Sequence, residues 1–239
     1  MLEAAVADAL AGERNRRLVR GSLLSAPIVI AIPAAILFEP LLVILAIPPA
    51  IVIVGYVVRV FSTPLAAPTV PPIDTWGRLV RDGLIATAIW LGIVGIPTLA
   101  VGAAMTIEVA GNPLAPLTTF WFDVIAIGLV FVLGSYVTPA VLLATVAPDL
   151  ADDRSVGTTV QSLLTSRAYA VATLQAILLA VTAGGVAIIL LVTVFGLVLV
   201  PTAAFLTITV IARSYAYAAV ATVDPALYAT LEEPSLSWF

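Results

Sequence analysis

The sequence predicts an all-α polytopic membrane protein, with about six transmembrane helices paired as three hairpins, each preceded by a short amphipathic helix at the membrane interface. Composition is the first observation behind this: 62% of the residues are hydrophobic and 10% are charged, with a mean hydropathy of +1.18, whereas soluble domains are roughly half apolar. The second is length. A hydrocarbon core of about 30 Å takes roughly 20 helical residues at about 1.5 Å each, and apolar runs of that size recur between short charged stretches. The third is arginine. All 10 basic residues are Arg, and they fall only in some of those stretches, as expected when guanidinium groups are kept on one side of a bilayer.

The chain opens with Leu2, Ala5, Val6, Ala9 and Leu10 on one helical face and Glu3, Asp8 and Arg14 elsewhere. That mixture reads as a retained interfacial helix rather than a cleaved signal peptide. Residues 22–58 are too many for one crossing, and Glu39-Pro40 offers a turn, so two rather short helices are expected at about 22–38 and 41–58. A re-entrant pair is the alternative.

The stretch TVPPIDTWGRLVRDGL carries four of the scarce charges, Asp74, Arg78, Arg81 and Asp82. Trp76, Leu79, Val80 and Leu84 recur at helical spacing, with the arginines on the other face. Asp74 is expected to cap the helix and Arg78 to pair with Asp82 at i,i+4. The segment is therefore read as a second interfacial helix, with Trp76, Arg78 and Arg81 as its anchor. Spans at about 84–105 and 120–146 follow, joined by TIEVAGNPLAPLTT, whose prolines and Gly-Asn mark an irregular loop.

A third interfacial helix, introduced by DLADDRS with its paired Asp152-Asp153, carries Val156, Val160, Leu163 and Leu164 on one face. The alternative is that any linker between membrane helices tends to be amphipathic. The last two spans are expected at about 168–188 and 192–212, turning after Gly184-Gly185 at about 186–193. Residues 1–213 then form one membrane domain and 214–239 a cytoplasmic tail. Under this count Arg14, Arg16, Arg17, Arg20, Arg59, Arg78, Arg81, Arg154, Arg167 and Arg213 share one side, while Glu39, Glu108 and Asp123 lie at the other. The protein is expected to be multi-pass in the cell membrane with both termini cytoplasmic.

The absence of Cys and His removes thiol nucleophiles, disulfides, haem ligation and the usual zinc sites. No Ser-base dyad, phosphate loop or clustered carboxylate pair is present, so no catalytic residue, metal or cofactor is assigned. No ionisable residue falls at the centre of a span, where it would be a default functional candidate. The intramembrane polar groups that remain are Ser135, Tyr136, Thr138 and Gln175. In Gly134–Pro139, the proline removes a backbone donor and Gly134 permits a bend, so a packing kink or a cavity-facing carbonyl is expected there. Gln175 is expected to hydrogen-bond a neighbouring helix. Gly92, Gly95 and Gly102 are expected to admit a neighbouring backbone.

At GYVVRVF, PPIDTWGRLVRDGL, YVTPAVLLATVA and VPTAAFLTITVIAR the chain resembles an uncharacterised haloarchaeal integral-membrane family, domain of unknown function 4013. The resemblance runs from about Gly21 to Arg213 and is most specific from Gly55-Tyr56 to Gly83; an arginine set without lysine and a net charge of −4 fit a salt-loving source, GC-rich coding being the alternative cause of the missing lysines. The family has no assigned active site, so the resemblance implies no role for any residue. The linker STPLAAPTVPP and the long first hairpin depart from its pattern. A non-enzymatic membrane scaffold or accessory subunit is expected, its partners being the lipid bilayer and a further copy or another membrane protein, with no nucleic acid. The alternative is a channel or transporter for a small neutral or amphiphilic solute.

Overall fold

The computed structural model describes residues 2–10, 14–37, 39–63, 65, 71–111, 115–146, 155–191 and 193–225. Asn112, Asp152, Asp153, Arg154 and residues 226–239 of the expected tail lie outside them. Among the described residues every regular element is helical: α1 (Leu2–Leu10), α2 (Arg14–Leu37), a 3-10 segment (Pro40–Ala46), α3 (Ile47–Ser62), α4 (Trp76–Trp90), a π turn (Leu91–Gly95), α5 (Ile96–Gly111), α6 (Ala115–Val146), α7 (Val156–Thr165), α8 (Arg167–Leu191) and α9 (Val194–Val223). Five stretches are long and apolar enough to cross a membrane: Ile44–Ser62, Trp76–Thr106, Trp121–Val146, Arg167–Leu190 and Leu199–Val223. The protein is an all-helical, multi-pass membrane protein.

Several boundaries differ from expectation, each for a local reason. The helix expected over 41–58 is split, with Pro40–Ala46 wound as 3-10 and α3 starting only at Ile47. Pro48 and Pro49 have no N–H to return to the carbonyls of Ile44 and Leu45, so the α-helical ladder can begin only there. No separate interfacial helix precedes the second hairpin. Trp76 instead begins one long rod, α4 passing through the π turn into α5, because nothing between Trp76 and Leu84 breaks a helix. Within the π turn the Ile96 N–H reaches back to Leu91 O. This wider turn directly precedes Pro97, whose ring would otherwise press on the carbonyl four residues back.

Helix occupies most of the loop expected between α5 and α6: α5 runs to Gly111, and α6 begins at Ala115 with Pro116 in its first turn, where its missing N–H costs nothing. The third amphipathic helix, α7, is a separate element. Ser155 caps it by accepting from Thr158 N, and extended Ser166 ends it. Helix α8 continues through Gly184-Gly185 to Leu191, and extended Thr193 caps α9 by accepting from Gly196 N. Each glycine lowers helix propensity by only about 1 kcal/mol, too little to break an apolar helix. Helix α9 extends ten residues past Arg213, to Val223, so Ser214–Val223, expected in the tail, belong to the helix.

Two glycines govern the closest helix pair. A Cβ at Gly55 would overlap the Leu79 carbonyl, and one at Gly83 would overlap the Ile51 carbonyl, so α3 and α4 touch backbone to backbone at two reciprocal points. Leu79 is fully buried there. Elsewhere Gly134 of α6 receives the side chain of Val94, and Gly21 of α2 receives the Phe205 ring. The glycines expected to serve this purpose do not. Gly92 and Gly102 face open space, and Gly95 meets only Leu91 of its own turn, because the π turn directs Val94 rather than a glycine at α6. Helix α9 is the most enclosed span, whereas Trp76–Thr106 and Arg167–Leu190 leave most of their surface outward. Its segment Ala212–Val220 is buried throughout.

Candidate functional site

Polar chemistry is concentrated around the connector from Thr63 to Thr75, which joins α3 to α4. Arg20 of α2 donates to the Ile73 carbonyl, Arg59 of α3 donates to Thr75 Oγ1 and Asp74, and Arg213 of α9 donates to the Thr63 carbonyl at 3.3 Å. A fourth arginine, Arg17, reaches the Ala9 carbonyl near the end of α1. Three helices thus hold one connector, and a fourth contact holds α1 beside them. Carbonyl oxygens at helix ends and in loops lack helical donors, and a guanidinium offers five N–H groups to supply them. Arg213 is fully buried and Arg17 nearly so, so these contacts form part of the packed interior.

Asp74 does not cap α4. It pairs with Arg59 at 3.3 Å, and the cap position is held by Thr75 without a side-chain bond. The expected Arg78–Asp82 pair is also absent; Arg59–Asp74 is the ion pair found among the described residues. An acid placed C-terminal to its base is the weaker order for an i,i+4 pair, worth a few tenths of a kcal/mol, and Arg78 and Arg81 are exposed, where water competes. Trp76, expected on one apolar face with Leu79, is 49% exposed while Leu79 is buried. The apolar face of this segment is divided. Leu79, Gly83 and Ala86 turn inward, while Trp76, Val80 and Leu84 turn outward.

A second polar layer joins α6, α7, α8 and α9. The Tyr136 hydroxyl donates to Leu164 O at 2.7 Å, one of the last carbonyls of α7, and the Tyr169 hydroxyl donates to Tyr136 O at 2.9 Å. Tyr169 packs 5.3 Å from the Tyr136 ring, near edge-on, and 5.3 Å from Tyr215. Ser166 and Thr222 meet at 2.6 Å beside it. Tyr136 therefore satisfies a helix end and locks α7 onto the span. Helix α6 runs unbroken through Pro139. Thr138 is buried with its Oγ1 unpartnered, and the Gln175 Oε1 is enclosed without the interhelical hydrogen bond expected of it. The structure does not bring Gln175 into a polar cluster with Tyr136. No group of three metal-ligating side chains occurs among the described residues.

Tyr169, Tyr215 and the four tethering arginines were not singled out from sequence. The aromatic and arginine positions near the end of α3, at the start of α8 and within α9 are the available signal. Tyr136→Phe should lower stability by about 1 kcal/mol, the worth of one hydrogen bond, and should loosen α7 without unfolding the spans. Thermal unfolding in detergent with proteolysis at residues 156–166 measures both, and a variant as resistant as the parent would remove Tyr136 from the joint. Compared with family models, curated proteins and solved structures, the chain matches none.

Proposed function

We propose that the protein is a non-enzymatic membrane scaffold or accessory subunit, crossing the membrane six times with both termini cytoplasmic. The observation that carries this reading is the use made of polar side chains. Arg17, Arg20, Arg213, Tyr136 and Tyr169 bind the chain's own carbonyls and Arg59 its own Thr75 and Asp74 side chains, whereas a catalytic or transport site holds such groups toward a ligand. The outward faces of the Trp76–Thr106 and Arg167–Leu190 spans supply surface for lipid or for another membrane helix. Helix α2, apolar beyond Arg20, serves as the sixth crossing alongside the five other spans. The resemblance to the haloarchaeal family fits this reading and adds no activity to it.

Because the chain has no Cys, single-Cys variants carry no background. Ser62→Cys and Thr158→Cys, both at exposed positions, should react with an impermeant maleimide only from the cytoplasmic side, and Asn112→Cys only from outside. Labelling of Ser62→Cys from outside would break the six-crossing topology.

The second reading, a channel or transporter for a small neutral or amphiphilic solute, draws on the unpartnered Thr138 and Gln175 atoms inside the spans. Proteoliposomes separate the two. A solute flux abolished by Gln175→Leu, with the fold intact, would favour transport; unchanged permeability together with lost retention of a partner favours the scaffold.

A further inference from the structure

We infer that Arg78 and Arg81 form a headgroup site for a single anionic phospholipid, whose acyl chain lies along Ile85, Ala88 and Gly92. This rests on the membrane reading of α4 and deepens it by naming the partner. Arg17, Arg20, Arg59 and Arg213 are committed to the chain's own oxygens, whereas Arg78 and Arg81 are exposed and make no hydrogen bond or ion pair among the described residues. Asp82, half-buried beside them, pairs with neither.

Their depth follows from length. The Trp76–Thr106 span has 31 residues, about 46 Å at about 1.5 Å per residue, against a hydrocarbon core of about 30 Å. Its first turns, with half-exposed Trp76, therefore stand in the headgroup layer. Arg78 and Arg81 are three residues apart and share a face, and Ile85, four residues beyond Arg81, continues that face. Ile85 is 51% exposed, Ala88 below it is exposed, and Gly92 meets nothing within 4 Å. Two guanidinium forks thus sit directly above an apolar track floored by small residues, as a phosphate sits above its acyl chains. Guanidinium groups bind phosphate oxygens in pairs, and their stems lie along the apolar surface.

The test is competition for the intact protein. It is held in mixed micelles containing equal phosphatidylglycerol and phosphatidylcholine with identical chains, and native mass spectrometry counts the retained lipids. The wild type should retain phosphatidylglycerol preferentially, and Arg78→Gln with Arg81→Gln should reduce that preference by about fivefold for each arginine. Arg167→Gln, an exposed arginine on α8, should leave it unchanged. No preference in the wild type, an unchanged double variant, or an equal loss with Arg167→Gln would overturn the site. Displacement of the lipid by millimolar inorganic phosphate would likewise overturn it, since the arginines would then hold a free anion. Release of the protein from membranes by alkaline carbonate would defeat the membrane reading itself. Retention in membranes without lipid preference would defeat only this inference.

Discussion

Gly55→Ala and Gly83→Ala should each destabilise the protein by about 3 kcal/mol or more and separate α3 from α4. Overpacking costs typically about 1–3 kcal/mol when side chains can move aside. Here the obstacle is backbone: the new methyl group at 55 meets the Leu79 carbonyl, and the one at 83 meets the Ile51 carbonyl. A carbonyl within a helix cannot retreat without carrying the helix with it, so relief requires the axes to part, and parting them exposes Leu79, which is fully buried. Gly92→Ala and Gly102→Ala are the controls, since neither meets any atom within 4 Å. They should be neutral or stabilising by up to about 1 kcal/mol through helix propensity. Thermal unfolding in detergent, with a disulfide between Cys introduced on α3 and α4 as a proximity gauge, reads both effects. A Gly55→Ala protein that melts with the wild type and still cross-links would show that the two backbones do not touch.

These glycines show what could be read from the chain and what could not. Apolar length and arginine spacing indicated the helical membrane class without any tertiary information, because the cost of leaving backbone groups unpaired in lipid acts on every residue alike. Helix ends were less legible wherever a proline could act either as a breaker or as a first-turn residue. Pro116 starts α6 rather than breaking the chain, and Pro48-Pro49 delays α3 by several residues. The choice between Gly55 and Gly92 as a contact glycine had no local signature at all. Both lie in apolar helical segments, yet Gly55 meets the Leu79 carbonyl while Gly92 meets nothing, and it is Val94 of the π turn that meets Gly134. The polar layer was half legible. Tyr136 was recognisable as a polar group in a span, whereas its acceptor, Leu164 O, is a backbone atom that no residue type announces. The Arg59–Asp74 pair was obscured for a related reason: an aspartate just before a helix reads as a cap until a guanidinium from another helix competes for it.

Arg213 illustrates the same limit with the larger consequence. From sequence it marked the cytoplasmic end of the last span, yet it lies fully buried within α9, with Ala212–Val220 enclosed around it. Its Nη1 holds the Thr63 carbonyl at 3.3 Å, so the last helix secures the connector that Arg20 and Arg59 hold from other directions. Arg213→Ala should therefore cost about 3 kcal/mol or more, since it leaves a cavity the size of a long, fully buried side chain and removes the donor of a half-buried carbonyl. Arg213→Lys should recover only part of this, because one ammonium group cannot reproduce the planar fork. Arg78→Gln, at an exposed position, should change stability by no more than about 0.5 kcal/mol. Amide hydrogen exchange in detergent distinguishes these cases, because release of the connector should speed exchange at Ile73, Asp74 and Thr75 in Arg213→Ala while α6 and α8 stay protected. Equal exchange in Arg213→Ala and Arg78→Gln would mean that the buried guanidinium does not hold the connector. The tether would then rest on Arg20 and Arg59 alone, with Arg59→Gln as the variant that releases it.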